Sequence, residues 1–210
     1  VVARYATCAA RLAYPLGLPV VVDLDDHHYR RSALAGWTLA QGRVALSKRL
    51  GRSLVRRELA RFAHALAVTP ADQAELQDDI ACTWLPNAVA VPETASQTAD
   101  TTDRVLFVGS LWYAPNALAV NWFLRRVWPQ ILRQRPRARL TLVGAASTQT
   151  RGEWESIDGV DAPGFIADLP RAYAESAVVV VPLQEGGGSS IKVLEALAQA
   201  RPCVVSHFAA

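Results

Sequence analysis

Apolar positions along this chain follow two rhythms that alternate. Short unbroken runs of β-branched and aliphatic residues read as strands buried on both faces. Longer stretches with apolar residues every three or four positions read as amphipathic helices. The clearest run is Val178 to Val181, closed by Pro182 and the glycines Gly186, Gly187 and Gly188. Ser189 and Ser190 offer an N-cap, and a helix is expected from Ile191 to about Ala200. Val105 to Val108 and Arg139 to Val143 are further expected strands, ending at Gly109 and Gly144. Between them Val120, Phe123, Leu124, Val127 and Trp128 form one stripe, which Pro129 kinks or restarts. Asp161 to Phe165 predicts a strand and turn around Gly164, and Asp168 to Tyr173 a short helix.

The first half is less regular. Val1 to Tyr14 predicts a helix with Val2, Tyr5, Ala9 and Leu12 on one face, broken by Pro15 to Pro19. Val20 to Val22 predicts a buried strand that runs into Asp23-Leu-Asp-Asp26. Helices are expected over Arg30 to Leu50 and Arg52 to Ala63, the second with Val55, Leu59 and Phe62 as its apolar stripe. Ala65 to Val68 is an expected strand. Thr69-Pro70 then starts a helix to about Asp78, with Thr69 as N-cap, Pro70 at N1 and Asp72 closing a weak capping box. Thr83 to Leu85 is a last short strand before Pro86-Asn87. Residues 91–103 are polar and threonine-rich, as a linker would be. The alternation predicts an α/β protein in three parts: 1–90, a linker at 91–103, and 104–210.

The loop after Val181 is where the pattern turns into chemistry. A strand, a glycine loop and a helix N-terminus leave backbone N–H groups unpaired and place a positive dipole end beside them. Lys192 falls in the first helical turn, where a cation opposes that dipole, so a bound anion explains it better than helix stability does. Glu195, three residues on, can share a rim with it. A phosphate at Ser189, Ser190 and Lys192, with Glu195 accepting from sugar hydroxyls, describes a nucleotide diphosphate. An ordinary strand–loop–helix connection with solvent-facing charges remains the alternative. Neither a G-x-x-x-x-G-K-[ST] nor a G-x-G-x-x-G spacing is present.

Six pieces of the second half stand in one order: Phe107-Val-Gly-Ser110, Pro115-Asn116, Leu142-Val-Gly144, Gly164-Phe-Ile-Ala-Asp-Leu169, Pro182 to Ala198, and Pro202-Cys-Val-Val205. In these pieces the segment Arg104 to Ser206 resembles the donor-binding domain of family 4 glycosyltransferases, which are retaining enzymes of the GT-B fold. The resemblance implies two Rossmann-like domains with parallel sheets, truncated here at both ends. It implies transfer of a hexosyl unit from a nucleotide diphosphate sugar to an acceptor hydroxyl, with no metal or other cofactor. The acceptor would be a glycan, a lipid-linked molecule or a small molecule. Glu195 takes the place of the second Glu of the family's E-x7-E motif, the donor-ribose ligand. Where the first would stand the chain has Gly187, and Glu185 is two residues too early. Gly109 and Ser110 would face the donor phosphates, together with Gly187, Gly188, Ser189 and Ser190. The Arg and Lys that many members place after that first glycine are missing, so Lys192 would carry the diphosphate alone. Trp112 and Tyr113 would stack on the base, line the cleft or pack in the core.

The acidic turn after Val22 has three readings. Its D-x-D resembles the metal motif of GT-A glycosyltransferases. It also resembles motif one of haloacid-dehalogenase-type phosphatases, with Asp23 as nucleophile, Asp25 as general acid and Mg²⁺ bound. Against that, position 27 is His27, and no later Lys or paired Asp is recognisable. The third and favoured reading is the strand end of the acceptor domain, where Asp25, Asp26 and His27 face or support a cleft. His27 and His28 are then candidate acid–base groups or simple surface residues.

Composition narrows this little further. Of 210 residues, 51% are hydrophobic and 20% charged, enough for a sizeable core. The net charge of +3 suits an anionic donor or a peripheral contact with anionic lipid, and equally a solvated surface. No aromatic-interleaved basic motif points to nucleic acid. Cys8, Cys82 and Cys203 are odd in number and form no C-x-x-C, as expected of reduced thiols in a cytoplasmic protein. No apolar run reaches the roughly 18 residues that span a bilayer. The chain lacks an initiator Met and reads as a fragment. A catalytically degenerate nucleotide-sugar-binding protein is the non-enzymatic alternative.

Overall fold

A computed structural model of the chain describes residues 2–4, 19–24, 57–92, 103–184 and 189–209. The chain divides into two compact units, one reaching Asn87 and also taking in Ser189, the other beginning at Ala88 and resuming at Ser190.

The first unit holds a parallel sheet in the order β1 (Val2–Arg4), β2 (Val21–Leu24), β3 (His64–Ala67), β4 (Cys82–Trp84). Strand β2 alternates, burying Val22 and Leu24, and β3 buries Ala65 and Ala67 beside them. Leu59, Phe62 and Leu76 complete that core. Leu76 ends helix α1 (Pro70–Leu76). The cap of α1 forms as its sequence implies: the Asp72 amide donates to the Thr69 hydroxyl (3.0 Å), which in turn donates to the Asp72 carboxylate.

Three expectations fail here. Val2–Arg4 is a strand, not the start of a helix, because it pairs along β2 opposite Val21, Val22 and Asp23, and pairing outweighs a weak helical stripe. Leu59 and Phe62 are buried as expected, but the helical backbone ends at Leu59, and residues 60–63 turn to enter β3. Asp23 lies inside β2, paired with Leu66, rather than beyond its end. Residues 5–18, 25–56 and 93–102, which include Asp25, Asp26, His27, His28 and most of the expected linker, lie outside the described residues.

The second unit is a five-stranded parallel sheet in the order β7-β6-β5-β8-β9. Its strands are β5 (Arg104–Val108), β6 (Arg139–Val143), β7 (Val160–Gly164), β8 (Val178–Val181) and β9 (Cys203–Val205). Alternate residues of the buried strands supply two cores. Phe107, Leu140, Leu142 and Val180 pack with Val120, Phe123 and Leu124 of α2 (Ala114–Arg126), Trp128 of α3 (Trp128–Gln134) and Trp154 of α4 (Thr148–Glu155). Leu106, Val108, Val179 and Val181 pack with Tyr173 of α5 (Leu169–Ala174) and Ala196 of α6 (Ile191–Ala198). Pro129 begins α3, so the stripe after Asn116 is two helices rather than one kinked helix. Helix α4 has no counterpart in the hydrophobic rhythm, since Trp154 is its one buried residue. The last helix stops at Ala198, two residues earlier than expected, and Ala200 takes a left-handed conformation (φ 53°).

The order of the strands fixes where a ligand can sit. From β5 the chain moves outward through β6 to β7, then returns through α5 to the far side of β5 as β8. Progress along the sheet reverses between β5 and β8. Open α/β sheets bind their ligands at the carboxyl ends of the strands at such a point.

Gly144 supports this end of the sheet. Its φ is +146°, and an added Cβ would lie 1.7 Å from the Gly109 carbonyl oxygen. Gly144→Ala should therefore cost at least about 3 kcal/mol, beyond an ordinary surface substitution, as read from the urea midpoint. A cost under about 1 kcal/mol would mean the two turns are not packed this closely.

Candidate functional site

The site lies where the turn after β5 meets the start of α6. The Gly109 amide donates to the Val143 carbonyl (2.9 Å), which holds the turn against the end of β6. The turn continues through Ser110 and enters α2 at Ala114, with Pro115 in the first turn. Asn116 follows and is buried at 6% exposure. Its Nδ2 donates to the Ser110 carbonyl (2.9 Å), and its Oδ1 accepts from Lys192 Nζ (2.7 Å). One carboxamide thus ties the helix after β5 to the helix after β8.

Lys192 is desolvated. Its ammonium lies 5.2 Å from the Phe107 ring centroid, over the ring face, and against Asn116. Burial lowers its pKa to about 8, partly opposed by the negative charge of Glu195. The chain has two lysines, Lys48 and Lys192, against twenty arginines. At 192 it carries the compact cation whose charge responds most readily to burial. Gly109 leaves room for this arrangement: an added Cβ would lie 2.9 Å from Asn116 Nδ2 and 3.2 Å from Lys192 Nζ.

Glu195, one turn further along α6, accepts a hydrogen bond from the Tyr173 hydroxyl (2.9 Å). Tyr173 is 1% exposed. Burial, then the neighbouring carboxylate, push its pKa up, so it remains a donor. The bond leaves Glu195 its second oxygen and its remaining lone pairs.

Ser190 is the N-cap residue of α6, yet its side chain makes no capping bond. Its hydroxyl is buried without a partner among the described residues. Ser189 is half-buried. Gly187 and Gly188 lie outside the described residues. Trp112 is 73% exposed, which removes core packing from its three readings, whereas Tyr113 is half-buried. Their rings meet edge to face at 6.4 Å.

The structure therefore brings together Gly109, Ser110, Lys192 and Glu195, the residues marked in the sequence. It adds two that were not marked as functional, Asn116 and Tyr173. Asn116 was visible as half of a Pro-Asn pair at a helix start. Tyr173 carried no signal, because only the fold carries α5 back beside α6.

Residues 102–210, just over half of the chain, match the family described as Glycosyl transferases group 1. The chain belongs to the group 1 glycosyl transferases. A relative in Klebsiella pneumoniae, the uncharacterized 44.6 kDa protein in the cps region, is 27% identical over 124 residues, 54% of this chain and 32% of that protein. Among solved structures, TarM superposes with a TM-score of 0.73 at 12% identity, over 97% of this chain and 40% of its own. Sucrose-phosphate synthase from Thermosynechococcus elongatus gives 0.71 at 15%, over 99% and 56%. Anabaena HepE, in complex with UDP and glucose, gives 0.64 at 14%, over 97% and 57%. These likenesses establish the fold, GT-B with Rossmann-like parallel sheets. The chain spans about a third to a little over half of the proteins it resembles. Membership of this glycosyltransferase group leaves the phosphatase reading on Asp23 and Asp25 without support. Among the described residues no helix is long and apolar enough to cross a membrane.

The lysine count permits a clean check of this geometry. With the lysine side chains isotope-labelled, one ε-amine should titrate near 8 and vanish in Lys192→Arg. Two ordinary midpoints near ~10.4 would show that Lys192 is solvated.

Proposed function

We propose that this is a family 4, retaining glycosyltransferase whose unit over 104–210 binds a nucleotide diphosphate sugar at the β5/β8 switch point. The carrying observation is the desolvated Lys192 ammonium at that point, held by a neutral amide instead of a carboxylate. In the reaction the bond from the sugar's anomeric carbon to the diphosphate breaks, a bond to an acceptor hydroxyl oxygen forms, and the hydroxyl proton passes to the departing diphosphate. The leaving electron pair stays on the diphosphate. Lys192 and the backbone amides of Gly188 to Ser190 stabilise that charge as it grows. Glu195, aimed by Tyr173, holds the donor ribose and so fixes the distance to the reacting carbon. Neither role needs a metal ion.

The transferred unit is a hexosyl group, and the acceptor is a glycan, a lipid-linked molecule or a small molecule. Residues 1–90 supply part of the acceptor side and 91–103 the linker. Peripheral contact with a membrane on its cytoplasmic side fits a lipid-linked acceptor. Uridine is the base to test first, since the matched structures include complexes of Anabaena HepE with UDP and glucose and of a pneumococcal O-GlcNAc transferase with UDP and GlcNAc.

A thermal-shift titration with UDP, GDP and ADP, without metal, tests this reading after circular dichroism has confirmed folding. One nucleotide should stabilise the protein saturably, by about 2.7 kcal/mol at 100 times its dissociation constant. Glu195→Gln keeps an acceptor for Tyr173 but loses the carboxylate, and should weaken binding about tenfold. No shift with any of the three, in folded protein, would contradict the reading and leave a degenerate site.

A further inference from the structure

The Asn116 side chain sits between two partners that each allow one polarity. An ammonium only donates and a peptide carbonyl only accepts. Lys192 Nζ lies 2.7 Å from Oδ1 and the Ser110 carbonyl 2.9 Å from Nδ2, so the orientation of the amide is settled by chemistry. A carboxylate could accept from Lys192 but would oppose the Ser110 carbonyl. A hydroxyl is too short to bridge the two. A carboxamide is the small side chain that serves both.

An aspartate facing the lysine would neutralise the cation as an ion pair. The chain instead places a neutral acceptor against a desolvated cation. The charge of Lys192 is thereby oriented but not neutralised, and a counter-charge is left for a ligand to supply. Among the described residues Glu195 is the charged group that acts on Lys192, offsetting only part of the effect of burial, and its carboxylate accepts from Tyr173. Asn116 from α2, Phe107 from β5 and the Gly109–Ser110 turn present only neutral groups.

We propose that Asn116 is the positioning residue of the donor site: it aims Lys192 at the diphosphate and keeps that ammonium free to pair with it. The inference rests on Lys192 being the diphosphate contact. It goes further by assigning the strength of that contact to a residue that touches no substrate. A Cβ at Gly109 would press on both partners of the pair.

The test uses the whole chain, with UDP and with inorganic pyrophosphate, which lacks a base and isolates the phosphate contact. Wild-type affinity for UDP should fall about tenfold between pH 7 and pH 9, as the Lys192 proton is lost near pH 8. The terminal phosphate of UDP ionises at about pH 6 and is largely ionised through this window; pyrophosphate has a further proton to lose there and is compared at pH 7.5 alone. Asn116→Asp should move the Lys192 titration upward, flatten the profile between pH 7 and pH 9, and raise the dissociation constant at least tenfold at pH 7.5. An Asn116→Asp protein with the wild-type titration and profile would overturn the proposal while leaving the donor site intact. A wild type that binds neither these probes nor GDP or ADP would overturn the donor reading and the proposal with it. If Asn116→Asp does not fold, a double-mutant cycle decides. Asn116→Ala should weaken UDP binding in the wild type and change nothing further in Lys192→Ala, because it acts through that lysine. Additive losses would overturn the proposal.

Discussion

A cation taken out of water without a carboxylate to meet it is the constraint that orders the second unit. Lys192 is held by one neutral amide and one aromatic face. Such a charge costs stability in the ligand-free protein. The unfolded chain keeps the lysine proton up to about pH 10.5, whereas the folded chain releases it near 8. Between those values the unfolded state binds more protons, so stability from this group rises with pH through that window. Below pH 8 its cost is constant, and an anionic ligand would remove it. Sites of this kind are tuned for a partner rather than for the empty protein.

The rest of the unit can be seen as what makes that arrangement rigid. Strand β5 is buried on both faces and sits at the middle of the sheet, so the turn after it has little freedom. Gly144 lets the neighbouring turn close on the Gly109 carbonyl, which sets the height of Ser110 and hence of Asn116. On the other side β8 delivers α6 with Lys192 inward, and the buried Tyr173 aims Glu195 along the same rim. Cation and carboxylate are one helical turn apart, and each is held by a residue from a different βα unit. Such a pair suits the proposed diphosphate sugar, with the cation at the phosphates and the acceptor at the sugar hydroxyls.

Much of this was legible in the chain. The runs Val105–Val108 and Val178–Val181 read as buried strands, and they stand side by side at the middle of the sheet. The Thr69-Pro70 cap announced α1 because its signal is local. What escaped depended on pairing across distance. Val2–Arg4 became a strand because β2 was there to receive it, which no local window shows. Helix α4 buries little beyond Trp154, so its apolar rhythm is almost silent. Asn116 and Tyr173 gain their roles from partners 76 and 22 residues away, and the sheet order alone brings them together.

The most direct test of the account is whether a nucleoside diphosphate covers Lys192. Acylation of the two lysines can be followed by peptide mass spectrometry, with Lys48 as the internal reference. UDP should protect Lys192 saturably and leave Lys48 unchanged, while uridine alone protects neither. Equal reactivity of Lys192 with and without UDP, GDP or ADP would contradict a diphosphate site at the β5/β8 switch point.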